Sequence, residues 1–242
     1  MPATGWLRKG ESKVKIKENL KLLISFGWGA LILAIAGCAT DSTSQHFSTK
    51  YRATDGRAID VGRRTIADNG WKFDEPHLDK CWVAADFDFS GYDTLYIAPT
   101  LCTATLKGPD EEGPNELAKD NLVIELQRFI RAKHIIANVV TRDSDIPAGA
   151  HVLKMENTIT QYAKGNAVTR YWIFVGHPKL RVAGKITDGD KSVFIFEGYR
   201  SGGTLEGGYV SDVDIQLGDI RSLTTDATDV MAVVAGKYQP RN

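Results

Sequence analysis

Asp86-Phe87-Asp88 and Asp188-Gly189-Asp190 are the residues whose types and spacing come nearest to metal chemistry. Calcium needs six to eight oxygens, and a loop supplies them as Asp-x-Asp-x-Asp-Gly with a distal Glu. Neither pair continues that way, and turn roles explain both. His46, His77, His134, His151 and His177 are dispersed, with none at zinc spacing. The chain holds no Gly-x-Ser-x-Gly elbow, no His-Glu-x-x-His and no phosphate-binding P-loop. Gly202-Gly203 and Gly207-Gly208 offer backbone N–H groups that can cradle an anion, or simply a flexible turn. No acid–base pair emerges, so no catalytic, cofactor or metal residue is assigned and the chain is expected not to be an enzyme.

Cys38 is different, because its neighbours define a chemistry for its sulfur. Residues 1–21 carry Arg8, Lys9, Lys13, Lys15, Lys17 and Lys21 against Glu11 and Glu18. Leu22 to Ala36, LLISFGWGALILAIA, is uncharged and mostly apolar. At about 15 residues it has the length of a signal-peptide core and falls short of the roughly 20 needed to span a bilayer. Ile35-Ala36-Gly37-Cys38 then resembles the lipobox of bacterial lipoproteins. That resemblance implies removal of residues 1–37 as a signal peptide and acylation of Cys38 on its sulfur and new amino group. Stable mooring takes at least two acyl chains, and three on Cys38 would supply it. The alternative is an uncleaved signal anchor. Ala39 follows the cysteine, and an aspartate is absent there. This resembles the pattern of lipoproteins delivered to the outer membrane, palmitate-anchored and facing the periplasm.

Removing the leader leaves 205 residues with a formal charge of −4. There is no basic stripe, which argues against a nucleic-acid partner. Cys81 and Cys102 remain, an even pair in an oxidising compartment. A bridge between them would close a loop of about 20 residues and add on the order of 3 kcal/mol. Two buried free thiols are the other reading.

Residues 38–80 show no sustained period and read as the lipidated cysteine and a tether with short ordered pieces. Arg57, Arg63 and Arg64 in it could meet anionic head groups or line a solvated loop. The globular domain is expected over 81–242. Asp86 to Phe89 alternates, and Tyr92 to Pro99 predicts a strand with Leu95 and Ile97 on one side. Asn115 is placed to cap a helix that carries Leu117, Ala118, Leu122, Leu126, Phe129 and Ile130. Strands follow at 135–141 and 152–162. Leu180 to Ile186 and Val193 to Glu197, joined by Asp188-Gly189-Asp190, form the clearest hairpin. A second helix runs from about Asp212 to Val234, with Gly236 stopping it. The fold class is therefore α+β: a mixed, largely antiparallel sheet with two helices packed on one face. The aromatic stretch around Tyr171, Trp172 and Phe174 is the candidate contact patch.

The pattern YDTLYIAP … NELAKDNLVIELQRFI … HVLKMENTITQY … RYWIFVGHPKLRVAGKITD resembles a group of uncharacterised bacterial lipoproteins known as a domain of unknown function. These are similar in layout to the amino-terminal domain of TolB and to small auxiliary lipoproteins of envelope transport machines. The resemblance covers about Asp86 to Phe196 and carries no active-site residues. It implies an envelope lipoprotein whose domain binds another envelope protein. A periplasmic small-ligand-binding lipoprotein, with a pocket between sheet and helices, is the alternative.

Overall fold

The computed structural model describes residues 49–104, 112–163, 178–202 and 212–241. Their strands are β1 (Lys50–Arg52), β2 (Ala58–Asp60), β3 (Arg64–Ala67), β4 (Gly70–Phe73), β5 (Lys80–Ala84), β6 (Thr94–Ile97), β7 (Leu101–Cys102), β8 (Asn138–Val140), β9 (Val152–Ala163), β10 (Lys179–Asp188), β11 (Lys191–Ser201) and β12 (Gln239–Pro240). The helices are α1 (Glu112–Ala132) and α2 (Asp212–Val234).

The hairpin of β10 and β11 is the centre of a nine-stranded sheet ordered β3-β4-β5-β11-β10-β9-β6-β8, with β7 beside β9. Gly189 sits in the turn at φ +54°, a conformation that suits glycine. The β3–β4 turn is Asp68-Asn69, both at positive φ, the two-residue geometry that matches strand twist. Pairs among β3, β4, β5, β11, β10 and β9 are antiparallel. β6 is parallel to both β8 and β9, because α1 carries the chain back between β6 and β8. The α+β class, mixed and mostly antiparallel, is as the sequence implies.

One cross-strand row shows how the sheet makes its core. Trp71, Val83, Phe194, Ile186, Met155 and Ile97 are successive partners from β4 to β6. Against that side lie Ala118, Leu122, Leu126 and Ile130 of α1, spaced by four, and Leu223, Ala227 and Val230 of α2, all in one cluster. On β9, Thr160 is an extra residue between Ile159 and Gln161, which pair with Val182 and Arg181. The bulge shifts the alternation by one, so Tyr162 turns inward and donates to Gln216 Oε1 of α2 at 2.9 Å. The opposite face is polar, with Glu156 bridging Lys154 at 2.7 Å and Lys185 at 3.1 Å.

Both helices end in a Schellman-type closure. Lys237 N–H donates to Ala232 O past Gly236, as Gly236 implied. Ile135 N–H donates to Ile130 O past His134, a non-glycine at φ +51°. α1 begins at Glu112, so Asn115 lies inside its first turns and is not its cap. Pro114 is tolerated there because early N–H groups have no helical partner.

One expectation needs correction. Residues 50–80 are not a tether: β1 to β4 lie within them, and β5 starts at Lys80. β1 is the middle of a second, three-stranded sheet ordered β12-β1-β2, so the folded unit takes in Lys50 and uses the chain's far end. Asp86–Phe89 leads into a turn, in keeping with the turn role read for Asp86-x-Asp88. Asp88 caps a 3-10 turn over Phe89–Gly91, accepting from Ser90 N at 2.9 Å.

Candidate functional site

A cleft of about 630 Å³ opens at one end of the large sheet. It is built from three connections: β5 to β6, the approach to β9 at His151, and the β10–β11 turn. Three of the four aspartates of the two pairs meet here, since Asp86, Asp88 and Asp188 all line it. Their pairing is specific. Lys191 Nζ donates to Asp86 at 2.9 Å and 3.2 Å. Ser90 Oγ donates to Asp88 Oδ2 at 2.5 Å. Tyr92 OH donates to Asp188 Oδ2 at 2.8 Å. Phe87, which lines the cleft, packs edge-on against the buried Phe89 with centroids 4.7 Å apart.

These bonds set the chemistry. Hydrogen bonding from Lys191 holds the Asp86 carboxyl below its ordinary range, and Ser90 does the same for Asp88. The bond to Asp188 raises the Tyr92 phenol, keeping it a protonated donor. Asp86 and Asp88 therefore stay ionised at neutral pH and act as fixed acceptors in a cleft that Phe87, Tyr92 and His151 also line. Such a surface suits recognition of donors on a polar ligand.

Two further polar groups lie inside, away from this cleft. In the first, Asp229 of α2 accepts from Tyr238 OH at 2.7 Å, from Lys133 Nζ at 2.8 Å and from Arg57 at 3.1 Å and 3.3 Å. Lys133 also donates to Thr228 Oγ1 and to the Thr225 carbonyl, so all three of its protons are used. In the second, Glu75 is buried in the β4–β5 connection and accepts from His77 N at 2.7 Å. Burial pushes its carboxyl up to about 7. Arg200 of β11 joins that connection to α2 through the His77 carbonyl, at 2.6 Å, and Asp226. Asp219, about two turns earlier on α2, is pushed up to about 6, again by burial.

The candidate residues read from sequence fare unevenly. Cys38, Tyr171, Trp172 and Phe174 lie outside the described residues. Cys81 and Cys102 are free thiols, Cys81 fully buried. They do not meet: β11, β10 and β9 stand between β5 and β7. Four ladder steps of about 4.8 Å put them roughly 19 Å apart, and a bridge needs Cα atoms within about 7 Å. Gly202 is not a free anion cradle. Its N–H donates to Pro178 O at 3.1 Å, and a Cβ there would come within 2.0 Å of Ile215. Arg57 and Arg64 are occupied, the first by Asp229 and the second over the Trp71 ring at 3.8 Å. The meeting of the aspartate pairs was not legible, since nothing local says which turns share an end of a sheet.

No family model matches the chain, and no curated protein matches it. Among solved structures, it is similar to the PelC dodecamer from Paraburkholderia phytofirmans, at 15% identity and a TM-score of 0.38, over 56% of this chain and 88% of that one. It is also similar to XCC0632 from Xanthomonas campestris, of the DUF330 family, at 10% identity and a TM-score of 0.37, over 62% of this chain and 88% of that one. An uncharacterised-domain protein is thus among its structural neighbours. Both scores and both identities are too low to carry a function across.

Proposed function

We propose that this chain is a lipid-anchored bacterial envelope lipoprotein whose α+β domain binds another envelope protein and does no chemistry of its own. The observation that carries the reading is Ile35-Ala36-Gly37-Cys38 at the end of an apolar run that follows a basic segment. Residues 1–37 are removed and Cys38 is acylated. Ala39 supports an outer-membrane destination facing the periplasm. The partner-binding part draws on Ile66. It sits on edge strand β3, paired with Trp71 at the end of the apolar row, yet it is 78% exposed. An apolar side chain on an open edge is a place for another chain to add.

The test is Cys38→Ala with membrane fractionation, followed by crosslinking of the native protein. The variant is expected to stay unprocessed and lose radiolabelled palmitate, and native crosslinks are expected to name an envelope protein. A variant that is processed and labelled like the native chain contradicts the anchor.

A second reading rests on the cleft of Asp86, Tyr92 and Asp188: a small polar ligand. The pocket expected for it lay between sheet and helices, whereas this cleft opens at the sheet's end. Ligand screening by thermal shift, with Tyr92→Phe abolishing any hit, distinguishes it.

A further inference from the structure

We propose that the connection from β4 to β5, residues 74–79, is a proton-operated flap, shut on α2 while Glu75 is neutral and lifted from it when Glu75 ionises. The device goes beyond the anchored reading and does not depend on it.

Only two side chains of this connection face inward. Asp74, Pro76, His77 and Asp79 are exposed, whereas Glu75 and Leu78 are buried. Leu78 meets Leu223 of α2 over the bare backbone of Gly198, where a Cβ would lie 3.1 Å from both side chains. Glu75 ties the turn together. Its Oε2 accepts from His77 N at 2.7 Å and its carbonyl from Leu78 N at 3.3 Å. Arg200 of β11 clasps the turn to α2, donating to the His77 carbonyl at 2.6 Å, to Ser222 Oγ at 3.3 Å and to Asp226. The two ends stay pinned when the middle lifts: Asp74 N–H donates to Arg63 O at 2.8 Å, and Lys80 stands opposite Glu197 in the β5–β11 ladder.

The charges around Glu75 give the flap its direction. From α2, the Asp226 carboxylate faces it. Behind Asp226 stand Asp229, on the same helix, and Lys133 of α1. Asp219 lies two turns before Asp226 and also looks to Arg200. β5 contributes the Cys81 thiol, and the flap itself contributes the exposed His77. Asp74 and Asp79 are engaged elsewhere, by Lys72 at 3.1 Å and Arg181 at 2.9 Å. Arg200 is already shared among Asp226, Ser222 and the His77 and Tyr199 carbonyls. An ionised Glu75 therefore has a carboxylate neighbour and, among the described residues, no arginine or lysine bonded to it. Burial makes such a charge costly, and turning the side chain out to water relieves it. The sign follows: Glu75 is raised from 4.5 to about 7, so the flap is held shut below that range and released as pH rises through it. Leu78, three residues on and bonded to the Glu75 carbonyl, moves with it and uncovers Leu223.

Amide hydrogen exchange on the isotope-labelled full-length protein tests this at His77 and Leu78, whose N–H groups both bond to Glu75. After correction for the intrinsic base-catalysed rate, their protection is expected to fall about tenfold from about pH 5.5 to about pH 8.5, with a midpoint at about pH 7. About 1 M urea should leave their exchange unchanged, as a local opening requires, while it speeds exchange at Met155 in the core of β9. Glu75→Gln should keep Leu78 protected to the top of the pH range. His77→Gln should leave the fall at Leu78 in place, although histidine is the side chain that ordinarily changes charge in this range. No fall in the native protein, a fall kept in Glu75→Gln or one lost in His77→Gln overturns the flap. So does a fall that responds to urea as Met155 does, because that is unfolding of the whole domain. If Glu75→Gln does not fold, the native profile, its urea response and His77→Gln still decide.

Discussion

Lys133 and Asp229 form a buried ion pair, Nζ to Oδ1 at 2.8 Å, that fastens the end of α1 to α2. Arg57 and Tyr238 converge on the same carboxylate, so both helices, the β1–β2 connection and the approach to β12 share one anchor. Burial pulls the Lys133 ammonium below its ordinary range and Asp229 opposes that pull. Removing one partner leaves the others charged or unsatisfied in the interior. Asp229→Ala is expected to cost about 3–5 kcal/mol in urea unfolding. Lys133→Met with Asp229→Leu should cost less than the two singles added together. Additive losses would mean that the pair is not coupled.

Glu75 gives the fold a pH dependence of definite sign. Its carboxyl is raised from 4.5 to about 7 by burial, so the native state holds a proton that the unfolded state releases. The stabilisation is fully present below pH 4.5 and lost as pH rises through 7. Discounted for solvent screening, about 1–2 kcal/mol is expected to disappear between pH 5 and pH 8. Asp219, raised to about 6, acts in the same direction. Glu75→Gln should flatten the profile and stabilise the protein at pH 8. An unchanged profile in that variant would remove Glu75 as its source.

Cys81 and Cys102 should behave as two unrelated thiols. Cys81 is fully buried and burial pushes its thiol far up. Cys102, partly exposed, is expected to react with maleimide in the native protein, and Cys81 only after unfolding. Electrophoretic mobility should be the same with and without reductant. A shift lost in Cys81→Ser would contradict the strand order that separates them.

Gly184 is opposite Phe196 in the β10–β11 ladder, and a Cβ there would lie 2.0 Å from the Phe196 ring. The ring packs over bare backbone, as aromatic residues do across glycine in sheets. Gly184→Ala is expected to destabilise by about 1–3 kcal/mol through overpacking. Adding Phe196→Leu should then cost less than it does in the native background. If it costs the same, the ring is not what excludes the methyl group.

Much of the fold was legible because its signals are local and long. Ala118, Leu122, Leu126 and Ile130 repeat at helical spacing. Leu153, Met155 and Ile159 alternate on β9. The β10–β11 turn carries its own glycine. The three-stranded sheet was not legible, since β1 and β2 each bury a single inward residue, Tyr51 and Ile59. Three residues are too few for a period, and the partner strand β12 lies at the other end of the chain. The cleft failed for a related reason: Asp86-x-Asp88 and Asp188-x-Asp190 each read as a turn, and only the strand order puts them together. Cys81 and Cys102 misled because closeness in sequence says nothing of the three strands between them.

Mooring by lipid on Cys38 can be read from mass spectrometry of the protein purified from membranes. The expected amino-terminal peptide begins at Cys38 and carries a diacylglycerol thioether and an amide-linked acyl chain. An unmodified thiol at Cys38, with residues 1–37 still attached, would contradict it.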